Sequence, residues 1–237
     1  GFYAGGAGSE LFNNATMVVM MRQGARTVLS MQNNYEGPPD DFAMVVPVPV
    51  ILNKEDVKTL PDEIFSKVDT MAAPRLVEYW EQNPCSPHKF GRETAVLGSR
   101  SGGVLRKGAV SPPTSKVVVE AQFEVGEYDI VILSAKEAGA LDKWLRNNKY
   151  NVPKESKDLY VPYIAAGQYF FVAKVNTKKV KMNNGQATLS PLRFHYDSDT
   201  FALPIRLGLI NAKYSQDLIV HVLAEDRYEI SNMHNVT

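Results

Sequence analysis

The amino-acid sequence predicts an α+β fold that is predominantly antiparallel β, with two related β-meander units and a few short helices. Apolar, β-branched runs bounded by turn residues outnumber the helical patterns, which is typical of this class. In addition, the block at 27–50, with an acidic turn in its middle, has a weak echo at 188–209. The echo predicts pseudo-repeated β units at about 14–52 and 168–224.

The first unit begins with an apolar strand at 14–22, which passes through a tight glycine turn and returns antiparallel at 26–34. A third strand covers 42–50 and contains Pro47 and Pro49. Because these prolines are two residues apart, their missing N–H groups lie on the same side of the strand. This arrangement predicts an edge strand or a strand beside a bulge, and it also protects such an edge against unwanted pairing.

Helical signals follow the third strand. Asn53 and the acidic residues after it form an N-cap with an acidic first turn, Pro61 opens a short helix, and Pro74 begins another. The Gly-, Ser- and Pro-rich stretch at about 83–114 then breaks the pattern and predicts a long mobile loop. We expect the whole chain, residues 1–237, to form a single compact domain with this loop as its one internal boundary.

The second half of the chain contains one clear helix and several strands. Ser134 and Glu137 form a capping box, and apolar residues at helical spacing follow, so that the helix is predicted to end near Asn148. Strands are predicted at 116–123, 128–133, 168–182, 186–196, 200–209 and 217–224. The last four of these, with a hairpin turn at 184–185, form the second antiparallel unit.

Composition narrows the possible partners. The 237 residues carry a formal net charge of zero and a pI near 7.1, so no bulk field favours nucleic acid or an anionic membrane. No apolar run approaches the roughly 18 residues of a membrane-spanning helix, so no transmembrane segment is expected in this chain. Since the chain begins without Met and stops directly after a β-like segment, we expect both ends to be cuts.

The sequence assigns no residue a catalytic, cofactor-binding or metal-binding role, and no cofactor is expected. The single Cys85 cannot form an internal disulfide; it is either an inert buried thiol or pairs with a cysteine outside this chain segment. The four histidines, His195 among them, lack zinc-ligand spacing. The acidic turns at 40–41 and 197–199 suit calcium, but Asp is also a favoured turn former.

Several phrases are distinctive in combination and extend over most of the chain. They are GFY at 1–3, LFNNAT at 11–16, DFAMVVPVP at 41–49, APRLVEYW at 73–80, YDIVILS at 128–134, WL at 144–145 and GQYFFVAK at 167–174. Together they resemble the exported bacterial DUF2330 family, a domain of unknown function. The resemblance implies a signal peptide and flanking cysteines, which leaves the pairing of Cys85 open. It implies no activity, cofactor or catalytic residue.

These observations predict an exported, non-enzymatic protein that is extracellular, on the cell surface or periplasmic, and acts through its surface by adhesion, binding or self-assembly. Its partner would be a second copy, in a homo-oligomer or filament, or another envelope component; the predicted edge strand suits strand addition. One alternative is an exported hydrolase whose site combines distant residues such as Cys85, His195 and the acidic turns. The other is a calcium-stabilised binding module.

Overall fold

A computed structural model describes residues 2–3, 15–32, 43–73, 117–150, 152, 156–176, 178–183, 186–211 and 217–234. Apart from Ala73, all of these residues belong to one compact unit of the chain. The predicted loop at 83–114, the start of the helix at Pro74, Cys85 and the acidic turn at 40–41 lie outside the described residues. No helix within the described ranges is long and apolar enough to cross a membrane.

The described elements are strands, three α-helices and two 3-10 helices. In chain order the strands are β1 (Phe2–Tyr3), β2 (Ala15–Gln23), β3 (Arg26–Met31), β4 (Ala43–Val48), β5 (Val57–Thr59), β6 (Val117–Val125), β7 (Tyr128–Ala135), β8 (Tyr169–Val175), β9 (Lys181–Asn183), β10 (Gln186–Thr188), β11 (Leu192–Asp197) and β12 (Asp217–Ala224). The α-helices are α1 (Glu63–Ala72), α2 (Ala138–Asn147) and α3 (Ser156–Ala165), and the 3-10 helices cover Lys54–Asp56 and Arg206–Asn211.

The strands form two five-stranded sheets and a separate hairpin. Sheet I has the order β1-β4-β8-β7-β6, sheet II has the order β12-β2-β3-β11-β5, and β9 pairs with β10. Every pairing between described strands is antiparallel except that of β12 with β2, which is parallel. The predicted α+β class, dominated by antiparallel sheet, is therefore confirmed. Strands of the two predicted units also pair directly, since β3 and β11 are neighbours.

The two sheets pack face to face and enclose the larger hydrophobic core. Alternation along β4 places Met44 and Val46 on this side, in one cluster with Val18 of β2. Phe171 of β8 and Phe194 of β11 have ring centroids 5.3 Å apart, so β8 and β11 meet across the two sheets. Burial of such aromatic side chains dominates the energy of a sandwich core.

The other face of sheet I is covered by α2 and α3, which makes sheet I the middle layer of this unit. Ala43 and Val45 of β4 alternate to this side and pack in a second core with Leu141 and Leu145 of α2 and Tyr160 of α3. Because both faces of sheet I are covered, all six residues of β4 are buried. This is the burial pattern of a central strand, not of a half-exposed edge.

The position predicted for the proline-containing strand is therefore wrong. β4 is not an edge strand: it lies between β8 and β1, and its Met44 and Val45 pair with Tyr3 and Phe2. Pro47, which has no N–H to donate, lies opposite Phe170 of β8 in the described pairing. A two-residue strand is too short to show a side-chain period, which is why the sequence does not reveal β1.

Further predictions also differ from the structure. The strands predicted at 168–182 and 186–196 are each divided in two, into β8 and β9 and into β10 and β11. The strand predicted at 200–209 is irregular around Pro204 and continues as a 3-10 helix, since proline removes a ladder hydrogen bond. The strand at 217–224 exists, but it joins sheet II in parallel and does not complete an antiparallel unit. Ser134 does not cap α2: it lies within β7 and donates its hydroxyl to Glu120, so α2 begins without a side-chain cap.

The first helical signals and one hairpin are confirmed. The backbone N–H of Asn53 donates to Asp56 Oδ2 at 2.8 Å, and α1 begins two residues after Pro61. Phe65 is the buried residue of α1. β9 and β10 pair antiparallel with two residues between them, at the position of the predicted turn, whose own residues lie outside the described ranges.

The turn between β6 and β7 holds the two sheets together at Ser190. Glu127 accepts a hydrogen bond from the backbone N–H of Ser190 at 2.5 Å, and Tyr128 donates its hydroxyl to the carbonyl of Ser190 at 2.6 Å. The side chains of Glu127 and Tyr128 are buried, so neither bond competes freely with water. Since Ser190 lies just before β11, this contact ties the entry of a sheet II strand to sheet I.

Replacing Tyr128 with phenylalanine is expected to lower the free energy of unfolding by about 1 kcal/mol, because the carbonyl of Ser190 loses this donor. The matched control is Tyr169→Phe, since the hydroxyl of Tyr169 forms no hydrogen bond with a described residue; its effect should stay within about 0.5 kcal/mol. Urea unfolding followed by circular dichroism measures both. Equal losses in the two variants would contradict a stabilising role for this contact.

Candidate interaction edge

The structure places His195 in the middle of β11, on the face of sheet II that points away from the core. Its Nε2 lies 3.4 Å from Oδ1 of Asp56, and the two side chains are 26% and 24% exposed. A carboxylate beside a histidine can orient the ring for general-base chemistry. Within the described ranges, however, the polar partner of His195 is Asp56 and no nucleophile adjoins it; Cys85 lies outside those ranges.

Asp197, the first residue of the second acidic turn, is paired with Arg26. Nε and Nη2 of Arg26 donate to the two carboxylate oxygens at 2.7 and 3.1 Å. These hydrogen bonds hold the pKa of Asp197 below its ordinary value. A calcium ion would have to displace the guanidinium group. In the part of the chain that the structure describes, no three His, Cys, Asp or Glu side chains form a group that could hold a metal ion.

A charged row crosses sheet I on the side of the helices, and the sequence patterns do not single it out. Glu124, Asp129 and Lys174 lie directly opposite one another on β6, β7 and β8. Lys179 pairs with Glu124 at 2.5 Å, and this contact lowers the pKa of Glu124. Oδ1 of Asp129 is buried and has no hydrogen-bond partner among the described residues. Nζ of Lys174 lies 5.8 Å from the ring centroid of Tyr150. The row therefore sets the electrostatic environment of Tyr150.

The most unusual surface is β12, the edge strand of sheet II. Its register with β2 places Val220 beside Val18 and Val222 beside Met20 on the core side, so the residues between them point to the outer side. Apolar side chains on both sides are nevertheless exposed to a similar degree. They are Leu218 at 40%, Ile219 at 44%, Val220 at 37%, Val222 at 41% and Leu223 at 39%.

β12 is exposed because the described part of sheet I is short at this end. β5 and β6 contact each other at one end of the sandwich. The strand orders therefore place β12 and β1 at the opposite end. Among the described residues, β1 spans two positions and β12 spans eight, so the described part of β1 lies opposite only part of the longer strand. The core-side residues Val220 and Val222 are accordingly 37% and 41% exposed.

In the described residues, the other three edges of the two five-stranded sheets have features that hinder pairing with another chain, whereas β12 has none. The described part of β1 is two residues long and β5 is three residues long. β6 has a register irregularity between Val119 and Ala121 and exposes Glu120 and Glu124. β12 is long and regular, contains neither proline nor lysine, and pairs on its outer side with no described strand. Within the described part of the chain it is therefore an unprotected apolar edge.

His221 lies at the centre of this edge and is the only polar residue within 218–224. It is opposite Val19 of β2, on the side away from the core. Its Nε2 is buried and has no hydrogen-bond partner in the described part of the chain. An unsatisfied buried nitrogen costs about 1–3 kcal/mol, so a partner would gain affinity if its binding let the imidazole turn outward and form this bond.

Exposed apolar surface continues along the chain after β12. Tyr228, Ile230 and Met233 are 45%, 54% and 50% exposed. The ring of Tyr228 packs edge-on against Phe201 at a centroid distance of 4.9 Å, which anchors the start of this segment. A monomeric globular protein seldom exposes so many large apolar side chains in one stretch, and such stretches mark interaction surfaces.

The sequence contains a signal for this edge that strand assignment alone does not use. Residues 218–224 are apolar at every position except 221 and do not alternate. Continuous apolar runs are typical of parallel strands that are buried on both faces. Where such a run is exposed on both faces, it indicates a strand whose second neighbour is missing.

Comparison with known proteins places the whole chain in one group. The family model described as "Uncharacterized protein conserved in bacteria (DUF2330)" matches residues 1–237. No curated protein and no solved structure matches the chain significantly. The resemblance inferred from the sequence phrases is thereby confirmed at the level of the family.

Proposed function

The chain belongs to the bacterial DUF2330 family, and on this premise we propose that it is an exported, non-enzymatic protein of the cell envelope or extracellular space that acts through its surface. The action is adhesion, binding or self-assembly, and β12 is the surface that performs it, by accepting an added strand along its free edge. The observation that carries the proposal is the contrast among the four edges of the two five-stranded sheets, of which, in the described residues, only β12 is long, regular, apolar and unprotected.

Strand addition to β12 combines two favourable terms. The free edge offers backbone N–H and C=O groups to a new strand, and the exposed side chains offer apolar surface. At about 1.5–3 kcal/mol for a whole side chain, burying the exposed two fifths of five such side chains is worth about 3–6 kcal/mol. Association costs about 4–15 kcal/mol in lost freedom. The side chains of β12 alone therefore offset only the lower end of this cost, and backbone hydrogen bonds and apolar surface on the partner add to their contribution.

A charge placed on this edge is expected to abolish the association. In Val222→Lys, strand addition would have to desolvate an ammonium group, so binding should fall at least about tenfold. The matched control is Val118→Lys, because Val118 is 46% exposed on β6, the protected edge of sheet I. The binding assay is co-sedimentation of labelled protein with the envelope fraction of the source bacterium, and light scattering after size-exclusion chromatography measures self-association.

The proposal predicts that the wild-type protein and Val118→Lys associate alike and that Val222→Lys does not. Circular dichroism spectra and melting temperatures establish that both variants are folded. If Val222→Lys associated as strongly as the wild-type protein, β12 would not be the binding surface. If the wild-type protein associated with neither itself nor the envelope fraction, a function in surface binding would be ruled out for these partners.

A further inference from the structure

We propose that β12 pairs with β12 of a second copy of this chain, antiparallel, about a two-fold axis beside His221. This inference rests on the proposed function, because it names the partner of the same edge. Joined in this way, the two five-stranded copies of sheet II form one continuous ten-stranded sheet. The contact is isologous, so it closes on itself and gives a dimer, not an open filament.

The sequence of β12 complements itself in this register. Every apolar residue lies opposite another apolar residue: Val220 with Val222, Ile219 with Leu223, and Leu218 with Ala224. Opposite residues differ by an even number of positions, and side chains alternate with a period of two. Core-side residues of one copy therefore meet core-side residues of the other, and the sandwich continues across the axis.

Neighbouring registers that preserve the faces are worse. Moving the axis one position towards the amino terminus, to residue 220, places Asp217 opposite Leu223. Moving it one position the other way, to residue 222, places Ile219 opposite Glu225. Either register buries a carboxylate against an apolar side chain, which is costly. With the axis beside His221, the two acidic positions face each other at the ends of the pairing, outside the apolar positions.

The axis also supplies the partner that His221 lacks. Its Nε2 is buried without a hydrogen-bond partner among the described residues. In the two-fold pair the imidazoles lie directly opposite each other, where Cα atoms are about 4.5–5.5 Å apart. Neutral imidazole has one donor and one acceptor nitrogen, so one ring can donate to the other.

A second copy also contributes as much apolar surface as the first. Burying the five partly exposed side chains of β12 offsets only the lower end of the range estimated for the cost of association. The same five side chains on the partner strand double that area, whereas an unrelated polar strand adds none. The area therefore favours a second copy over a partner with a polar strand.

Cysteine cross-linking tests the register directly. In a Cys85→Ser background, His221→Cys places two thiols opposite each other across the axis. Ile219→Cys is the matched control on the same face: residue 219 of the other copy lies four positions along, about 13 Å away, beyond the Cα separation of about 7 Å that a disulfide spans. Mild oxidation should yield at least about tenfold more disulfide-linked dimer from His221→Cys, measured on non-reducing gels and by intact mass.

A mixed sample tests the same register with His221 in place. Residue 219 of one copy lies opposite residue 223 of the other in this register. Ile219→Cys and Leu223→Cys, carrying tags of different mass, should therefore cross-link only when they are mixed, and only as heterodimers. Equal cross-linking of His221→Cys and Ile219→Cys would overturn the register. Absence of cross-links both in His221→Cys and in the mixture would overturn self-pairing.

Failure of self-pairing is distinguishable from failure of the proposed function. If no variant cross-links and the wild-type protein is a monomer at high concentration, the second copy is excluded as the partner. Envelope binding then tests the edge itself. If Val222→Lys no longer binds the envelope fraction and Val118→Lys still does, β12 remains a binding surface, but for a different chain. Equal envelope binding by both variants would reject the surface as well.

Discussion

Replacing Gly126 with alanine is expected to lower the free energy of unfolding by about 2–4 kcal/mol. Gly126 has a φ of +56° in the turn between β6 and β7, a conformation in which a Cβ is strained by about 1 kcal/mol. A Cβ at this position would also lie 2.7 Å from Cγ2 of Thr59 on β5. Overpacking of this kind costs about 1–3 kcal/mol, because a β-branched side chain in a strand has few alternative rotamers.

Gly24 provides a matched control, since it has nearly the same φ, +55°, and a Cβ there would contact nothing within 4 Å. Gly24→Ala should therefore show the backbone strain alone, about 1 kcal/mol. Thr59→Ser removes the clashing methyl group and should recover most of the additional loss in the double variant. Urea denaturation gives all four values. A loss in Gly126→Ala no larger than that in Gly24→Ala would show that Thr59 yields without cost.

The positions of most strands could be predicted because their signal is local. β2, β3 and β7 are runs of β-branched or alternating residues bounded by turn residues, and these features depend only on neighbours along the chain. By contrast, α3 contains Pro162 and has no clear apolar stripe, so no local pattern indicates a helix. It persists because Tyr160 is buried against sheet I, which is a tertiary effect.

The assignment of each strand to a sheet could not be predicted, because it depends on distant contacts. Pro47 and Pro49 predict an edge strand, whereas β4 lies between β1 and β8 with a packed layer on each face. The parallel partner of β12 likewise becomes apparent only when β2 is in place. The candidate interaction edge is therefore visible as an apolar run in the sequence, whereas its exposure follows from the short described part of the opposing strand β1.

The position of Tyr150 makes the stability of the protein sensitive to alkaline pH. The chain leaves α2 through a left-handed residue, Lys149 with a φ of +68°, and the N–H of Tyr150 donates to the carbonyl of Leu145 at 3.0 Å. This turn packs the ring against Trp144, with centroids 6.2 Å apart. Burial, and then the charge of Asp129, raise the pKa of Tyr150 from 10.0 to about 12.

The raised pKa means that the folded state holds the phenolic proton more tightly than the unfolded state. The resulting stability is fully present below pH 10 and is lost as the pH rises towards 12. At about 1.4 kcal/mol per pH unit, Tyr150 accounts for a loss of about 2–3 kcal/mol over this interval. Urea unfolding of the wild-type protein and of Tyr150→Phe at pH 9 and 11.5 measures it, and the variant should lose correspondingly less.

Two further variants separate the causes of this effect. Tyr228→Phe removes a tyrosine that is 45% exposed, so it should retain the alkaline loss of the wild-type protein. Asp129→Asn removes the neighbouring charge but leaves the ring buried, so the titration of Tyr150, followed by absorbance at 295 nm, should begin at lower pH yet stay above that of an exposed tyrosine. An unchanged titration in Asp129→Asn would assign the whole shift to burial. An alkaline loss in Tyr150→Phe equal to that of the wild-type protein would show that the other buried tyrosines, and not Tyr150, set the alkaline limit of the fold.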